Sequence, residues 1–310
     1  MELKQLRSLL AVQEAGSFSG AADILDTVQS NVSGHLSKLE RELNVQLVDR
    51  RTGSLTDEGN LVAQHARRLF QELEEIYSEL SNMTSMVSGR VRLGVITTAA
   101  GWLLPLILDR LARDYPKIEL EVAEGTSASL QRRLSSGLVD MALLTTPLTV
   151  DGLTFSPLFE EKYVLIVNAS DPLAKLESVT VAIAATRPLL VPPPHVGFRE
   201  ELAAVAASRG AKLNVKAQID GLHVIAALAI AGYAPAILPS SAVTNLPTSP
   251  SASSAIAIPI VDLAPRRVGI ARYRSRLESS AAKRVVEALG GAVAEAGPDL
   301  PPGISALRRS

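Results

Sequence analysis

The residues Ser17-Phe18-Ser19-Gly20-Ala21-Ala22-Asp23-Ile24-Leu25-Asp26-Thr27-Val28-Gln29-Ser30-Asn31-Val32-Ser33-Gly34-His35-Leu36-Ser37-Lys38 read as two helices joined by a tight turn. Ser17 suits the cap of the first helix, because its hydroxyl can accept from a free backbone N–H of the first turn. Ala21 and Ala22 are small enough for a neighbouring helix to pack closely, and Leu25 closes the core side. Asp26 and Thr27 have turn chemistry, since both side chains bond readily to nearby backbone. A second helix is expected from Gln29, where Val32, Leu36, Leu39 and Leu43 recur at spacings of 4, 3 and 4, one face of a helix. Opposite that stripe stand Ser30, Asn31, Ser33, Gly34, Ser37 and Lys38, with Gln29 and His35 at its margins. Such a face is either an ordinary solvated surface or one fitted to a DNA major groove, where Gln and Asn pair with base edges and Lys meets phosphate.

Towards the N-terminus, Leu3, Leu6, Leu9, Leu10 and Val12 predict a first helix ending near Gly16. On the other side Asn44 suits a left-handed cap. Short apolar pieces at 45–48 and around Leu55 flank Arg50-Arg51-Thr52-Gly53-Ser54 and read as a small β-hairpin. Thr56 fits as the cap of a long helix, with Asp57 and Glu58 favourable at its positive end. In that helix Val62, Ala66, Leu69, Leu73, Ile76, Leu80, Met83 and Val87 recur at alternating spacings of 4 and 3. A helix with one narrow apolar stripe either packs on its own domain or joins a second copy; the sustained heptad favours a two-chain coiled coil.

The 310 residues suggest two or three domains. Apolar residues make up 47% and aromatics only 4%, so the cores are built mainly from Leu, Val, Ile and Ala. The net charge of −1 excludes a polyelectrolyte binder, and residues 1–60 hold six Lys or Arg against nine Asp or Glu. Bulk charge therefore gives little non-specific DNA affinity, and Lys38, Arg50 and Arg51 must act by placement, multiplied by the copies in an oligomer. The chain has no cysteine, which excludes disulfides, thiolate metal sites and Cys nucleophiles and fits a reducing cytosol. With no signal pattern and no apolar run of about 18 residues, a cytoplasmic protein without membrane partners is expected.

Beyond Ser88-Gly89 strands and helices alternate. Strands are predicted over 90–96, 118–123, 139–144, 163–167, 189–191, 215–219, 236–238 and 268–271, and helices over 102–115, 127–136, 199–209, 222–231 and 279–294. Alternating βα units imply parallel sheets covered by helices, and two such series imply two lobes. Ligands of open α/β sheets sit beyond the carboxyl ends of strands, near helix N-termini that favour anions. Thr97 and Thr98, Thr126 and Ser127, Thr145, and His195 with Phe198 in the loop after Pro192-Pro193-Pro194 occupy such places. For any one Thr or Ser, a cap or turn role is the first reading, since caps strongly favour these types. Arg199 either meets an anion or stands exposed on its helix. His195 and His223 have no second metal ligand at useful spacing. No catalytic triad and no Gly-rich phosphate loop appears, so neither an enzyme nor a cofactor is expected.

Residues 2–59 resemble the N-terminal winged helix-turn-helix of LysR-type transcriptional regulators. The matching residues are Leu6, Ala15-Gly16-Ser17-Phe18 with Ala21-Ala22, Gln29-Ser30-Asn31-Val32-Ser33, Leu39-Glu40, Leu43, Leu47, Arg50, and Leu55-Thr56 with Gly59. The C-terminal half resembles the effector-binding domain of that family, itself similar to periplasmic solute-binding proteins, through Leu93-Gly94, Pro105, Tyr115-Pro116, Leu134, Gly137 with Asp140, Asp171-Pro172-Leu173-Ala174, and Gly232 with Leu238-Pro239. The resemblance implies a dimer or tetramer on an interrupted palindrome in double-stranded DNA, with the hairpin as a wing whose Arg50 and Arg51 meet phosphate or the minor groove. It also implies a small-molecule effector, often a carboxylate, held between the lobes, and allows RNA polymerase as a partner. Four departures stand out: a wing about two residues short, Val28 in place of a capping Ser or Thr, Gly34 where Arg or Ala is common, and Pro235 in a segment usually rich in Gly.

The expected architecture is multi-domain α/β: a winged helix-turn-helix over 1–59, a linker and dimerisation helix over 60–88, a two-lobe effector-binding domain over 89–296, and a disordered tail over 297–310. Lobe I takes about 90–162 with 267–296, and lobe II about 163–266. Ser17, Gln29, Ser30, Asn31, Ser33, His35, Lys38, Arg50 and Arg51 are the expected DNA-binding residues. The alternative is a solute-binding or enzymatic α/β protein whose N-terminal helices serve only assembly.

Overall fold

The computed structural model describes residues 1–82, 87–194, 196–243, 255–274 and 278–307. It divides into two compact units, residues 1–85 with 136–138 and residues 86–135 with 139–310, and each is described by itself. The N-terminal unit holds α1 (Leu3–Ala15), α2 (Phe18–Ile24), α3 (Gln29–Leu43) and α4 (Asp57–Asn82). Leu6, Leu9, Val12, Ala21, Ala22, Val32, Leu36 and Leu39 form one core with Leu47, Val48, Ala63 and Ala66, so the stripe on α3 faces inward as its spacing requires. The Ser17 hydroxyl accepts from the Gly20 N–H at 3.1 Å. Val28 offers no side-chain cap to α3, which ends on Asn44 in the left-handed region (φ 54°).

The wing is reduced to a single antiparallel bridge between Val48 and Leu55. Thr56 then caps α4, its hydroxyl accepting from Gly59 N–H at 2.9 Å and donating to the Gln46 carbonyl at 2.8 Å. Gly59 is required by close approach: a Cβ there would stand 2.0 Å from the Leu47 carbonyl oxygen.

The apolar stripe of α4 and the residues after it does not keep one set of neighbours. Ala66 is buried and Val62 half-buried against the N-terminal core, while Val87 packs on the core of the C-terminal unit. Leu69, Leu73 and Ile76 lie outside the N-terminal core, with Ile76 54% exposed. The Leu80 side chain and Met83 lie outside the described residues. A regular spacing cannot tell a seam from a stripe that changes neighbours along its length.

The C-terminal unit contains β1 (Gly89–Ile96), α5 (Thr97–Asp114), β2 (Ile118–Gly125), α6 (Ser127–Ser135), β3 (Met141–Thr145), β4 (Leu153–Glu161), β5 (Tyr163–Asn168), α7 (Val181–Ala184), β6 (Leu189–Val191), α8 (Gly197–Ser208), β7 (Val215–Gln218), α9 (Leu222–Ile230), β8 (Ala236–Pro239), β9 (Ala255–Pro259), β10 (Arg266–Tyr273), α10 (Ser280–Ala296) and β11 (Ile304–Ala306). Two sheets result, in the orders β11-β4-β10-β3-β1-β2 and β7-β6-β8-β5-β9. The sheets are mixed rather than parallel. β1 runs parallel to β2 and β3, but β10 is antiparallel to β3 and β4, and β5 is antiparallel to β8 and β9. The reason is that the chain crosses between lobes twice, and the returning strand β10 must enter the first sheet in reverse.

Strand β4 was not legible in the sequence. Pro157 interrupts it, and a proline is normally confined to edges and bulges. Its partner β10 absorbs the proline with a register shift between Val268 and Gly269. A Cβ on Gly269 would meet the Ser156 carbonyl oxygen at 2.4 Å and the Pro157 Cα at 2.7 Å, so only glycine lets the two strands close there. The tail is a second correction. Gly297–Asp299 form a 3-10 turn, and β11 pairs antiparallel with residues 159–161 of β4 while burying Ile304. Its Pro and Gly residues shape a turn that returns the chain to an unpaired sheet edge, and the apolar Ile304 fixes it there.

Candidate functional site

The exposed side of α3 carries Gln29, Ser30, Asn31, Gly34 and Lys38. An added Cβ at Gly34 would meet nothing within 4 Å. The Asn31 amide donates to Thr27 Oγ1 at 3.0 Å, which ties it to the turn before α3. Two expected contacts are turned elsewhere. His35 Nδ1 lies 2.9 Å from the hydroxyl of buried Ser8, which itself donates to the Lys4 carbonyl at 2.9 Å. This contact ties α3 to α1 through the His35 ring.

Arg50 is the second. Its guanidinium folds back onto α3, donating to Ser33 Oγ at 3.1 Å, Ser37 Oγ at 2.9 Å and Glu40 Oε2 at 2.9 Å, and lies over the Phe18 ring at 5.5 Å. The other Glu40 oxygen accepts from the Leu47 and Val48 N–H groups at 3.0 and 3.2 Å. Glu40 and Arg50 thus fasten the wing segment to α3 and engage Ser33 from the side. Arg51 is exposed and, among the described residues, its guanidinium is unpaired. The residues that sequence reasoning missed here are Glu40 and Phe18, whose partners lie 7 to 32 positions away and leave no local signature.

In the C-terminal unit the predicted hydroxyls divide. Helix α5 starts at Thr97 directly after β1 with no side-chain cap, five residues earlier than its apolar pattern suggested. This puts Thr97 and Thr98 inside its first turn. Thr98 is 8% exposed and accepts from Arg266 Nη2 at 2.6 Å. Ser127 and Thr145 come together, hydroxyl to hydroxyl at 2.8 Å, and the Thr145 N–H donates to Ser127 Oγ at 3.1 Å. Thr126 is an N-terminal cap of α6, accepting from Ser129 N–H at 3.2 Å. Phe198 stacks on Tyr163 with ring centroids 4.9 Å apart and planes 8° from parallel, within the second lobe's core. His195 lies outside the described residues.

Charged groups outside the expected set complete this region. Glu161, 1% exposed, pairs with Arg266 through Oε1 and accepts the Ser241 N–H on Oε2 at 3.3 Å. Burial pushes the Tyr163 hydroxyl above its ordinary range and raises the Glu201 carboxyl that bonds to it. Arg199 Nε and Nη1 are buried without a hydrogen-bond partner among the described residues, a costly state for a cation. By contrast, Asp171 and Asp140 are structural. Asp171 caps a 3-10 turn at Leu173 N–H and grips Arg187, which holds its carboxyl below the usual range. Asp140 grips Arg92 at 2.8 Å.

Among the described residues no helix is long and apolar enough to cross a membrane. A family model described as "Bacterial regulatory helix-turn-helix protein, lysR family" matches residues 3–60, and one described as "LysR substrate binding domain" matches residues 85–294. A probable hydrogen peroxide-inducible genes activator of Streptomyces viridosporus is 33% identical over 245 residues, 78% of each chain. Among solved structures, full-length OxyR of Pseudomonas aeruginosa, a single-residue variant, superposes with a TM-score of 0.77 at 21% identity, covering 100% of this chain and 99% of that one. Full-length CbnR complexed with its target DNA superposes with a TM-score of 0.67 at 21% identity, covering 94% and 100%.

Proposed function

Because this chain belongs to the LysR family of transcriptional regulators, we propose that two copies joined through α4 set their α3 helices on an interrupted palindrome in DNA, and that a small anionic effector in the C-terminal unit changes how they lie on it. The observation that carries the dimer is the row Leu69, Leu73 and Ile76, which the N-terminal core leaves uncovered. A second α4 covers such a row at heptad spacing, and a two-fold axis places paired recognition helices about one helical turn apart. Pairing of two dimers into a tetramer, and contact with RNA polymerase, extend the same reading; the DNA target places the protein in the cytoplasm. The chain acts by binding, with no turnover chemistry.

The double variant Leu69→Glu, Ile76→Glu is expected to sediment as a monomer and to lose at least tenfold in DNA affinity, roughly the effect of removing one half-site contact of 1.4 kcal/mol. An unchanged dimer would place the interface elsewhere.

The effector is anionic on this reading because two guanidinium nitrogens of Arg199 are buried without a hydrogen-bond partner among the described residues and Arg266 is only partly engaged. Peroxide, for which the Streptomyces relative is named, does not carry over as a thiol signal. The reversible oxidation ladder starts from a cysteine thiolate, and this chain has no cysteine. The expected result is a DNase I footprint unchanged by a molar excess of hydrogen peroxide; a footprint that lengthens or shortens would require another oxidisable group.

A further inference from the structure

Glu161 ends β4 and Arg266 starts β10, so their ion pair sits where the chain leaves the first sheet and where it returns. Four segments meet on it. The Glu161 carboxylate takes Arg266 on one oxygen and the Ser241 N–H on the other. Arg266 reaches on to Thr98 in the first turn of α5, while the neighbouring Ser240 N–H donates to the Lys162 carbonyl at 2.9 Å. The 3-10 turn Ser240–Val243 follows β8 of the second sheet, whereas α5 follows β1 of the first. One buried carboxylate and one guanidinium therefore join a helix of lobe I to a turn of lobe II across both chain crossings.

Arg266 is not fully engaged by these partners. A guanidinium has five N–H donors, and among the described residues Nε goes to Glu161 and one Nη2 proton to Thr98. Its side chain is 17% exposed, so the remaining donors are open to a newcomer. The first turn of α5 adds backbone N–H groups that no side chain caps, and these favour negative charge. Glu201 of α8 and the Tyr163 hydroxyl bonded to it lie within the field of the same guanidinium, so a charge on a lobe II helix also faces Arg266.

We propose that the Glu161–Arg266 pair is a hinge latch: a negative charge arriving at the first turn of α5 draws Arg266 towards itself, loosens its hold on Glu161, and so frees the Ser240–Val243 turn of lobe II. The latch deepens the effector reading above and rests on it, naming the residues that pass occupancy of lobe I to lobe II. It also accounts for Thr98, whose hydroxyl orients Arg266 rather than capping its own helix.

A tethered charge tests this without knowing the effector. In the full-length chain, Thr98→Asp places a carboxylate beside Arg266, and Thr98→Asn places a neutral group of the same shape. Hydrogen–deuterium exchange followed by mass spectrometry is expected to show the peptide over 240–243 exchanging about tenfold faster in Thr98→Asp than in Thr98→Asn, the scale of one lost hydrogen bond in local stability. Equal exchange in the two variants overturns the latch. Should Thr98→Asp not fold, as judged by its melting curve against wild type, Glu161→Gln takes its place. Faster exchange both at 240–243 and at 97–100 supports the latch, and faster exchange confined to residues next to 161 overturns it. Exchange needs no DNA, so its failure is separate from failure of the regulator reading, which DNA binding by the wild-type chain decides.

Discussion

Replacing Glu161 by alanine is expected to lower the stability of the C-terminal unit by about 3–5 kcal/mol, because removing one member of a buried pair strands the other. Arg266 would keep its charge at 17% exposure with only Thr98 left to it, and the Ser241 N–H would lose its acceptor. The loss also loosens β4 against β10, the pair that carries the first sheet past Pro157. Thermal unfolding of the full-length chain checks this, and two transitions are expected since the chain divides into two compact units. The transition of the larger unit should fall while that of the smaller stays in place. Glu161→Gln is expected to cost less, because it preserves shape and one acceptor oxygen for Ser241. If alanine were tolerated within about 1 kcal/mol, the pair would be contributing no more than an exposed surface bridge.

The second large effect falls on DNA. The double variant Gln29→Ala, Lys38→Ala is expected to abolish sequence-specific binding while leaving the dimer intact. Both side chains are exposed on α3 and take no part in the core, so folding should be unaffected. A good bidentate base contact carries about 1–3 kcal/mol of discrimination, and a two-fold dimer loses it twice. Loss of one phosphate contact per copy should flatten the salt dependence of binding by about two units of slope. A mobility shift on a selected operator at two salt concentrations measures both terms, with sedimentation as the control for assembly. Specific binding that survived unchanged would mean that another surface reads the DNA. The corresponding loss for Arg50→Ala should come through the fold, since Arg50 holds the wing segment to α3 rather than pointing away from it.

The paired helices, the inward stripe of α3 and the caps at Ser17 and Thr56 were readable because each depends on residues within a few positions of one another. A hydrophobic period and a capping hydroxyl are local physics. The alternation of strands and helices was readable for the same reason, down to the final helix begun by the Ser279 cap.

What the tertiary structure decided are pairings over long separations and the direction in which shared residues point. The partners Glu161 and Arg266 are 105 residues apart, and nothing near either one signals the other. Arg50 looked like a wing contact because its position in the hairpin was legible, but its orientation is set by Glu40 ten residues earlier. Val62 and Ala66 share their spacing with Leu69 and Ile76, and only the placement of the N-terminal core separates buried from uncovered. Strand β4 and the terminal strand β11 have weak patterns of their own; each exists because a neighbouring strand supplies the hydrogen bonds that its sequence alone does not announce. Periodicity determines which face of an element is apolar, and the chain's topology determines what that face and its charged neighbours meet.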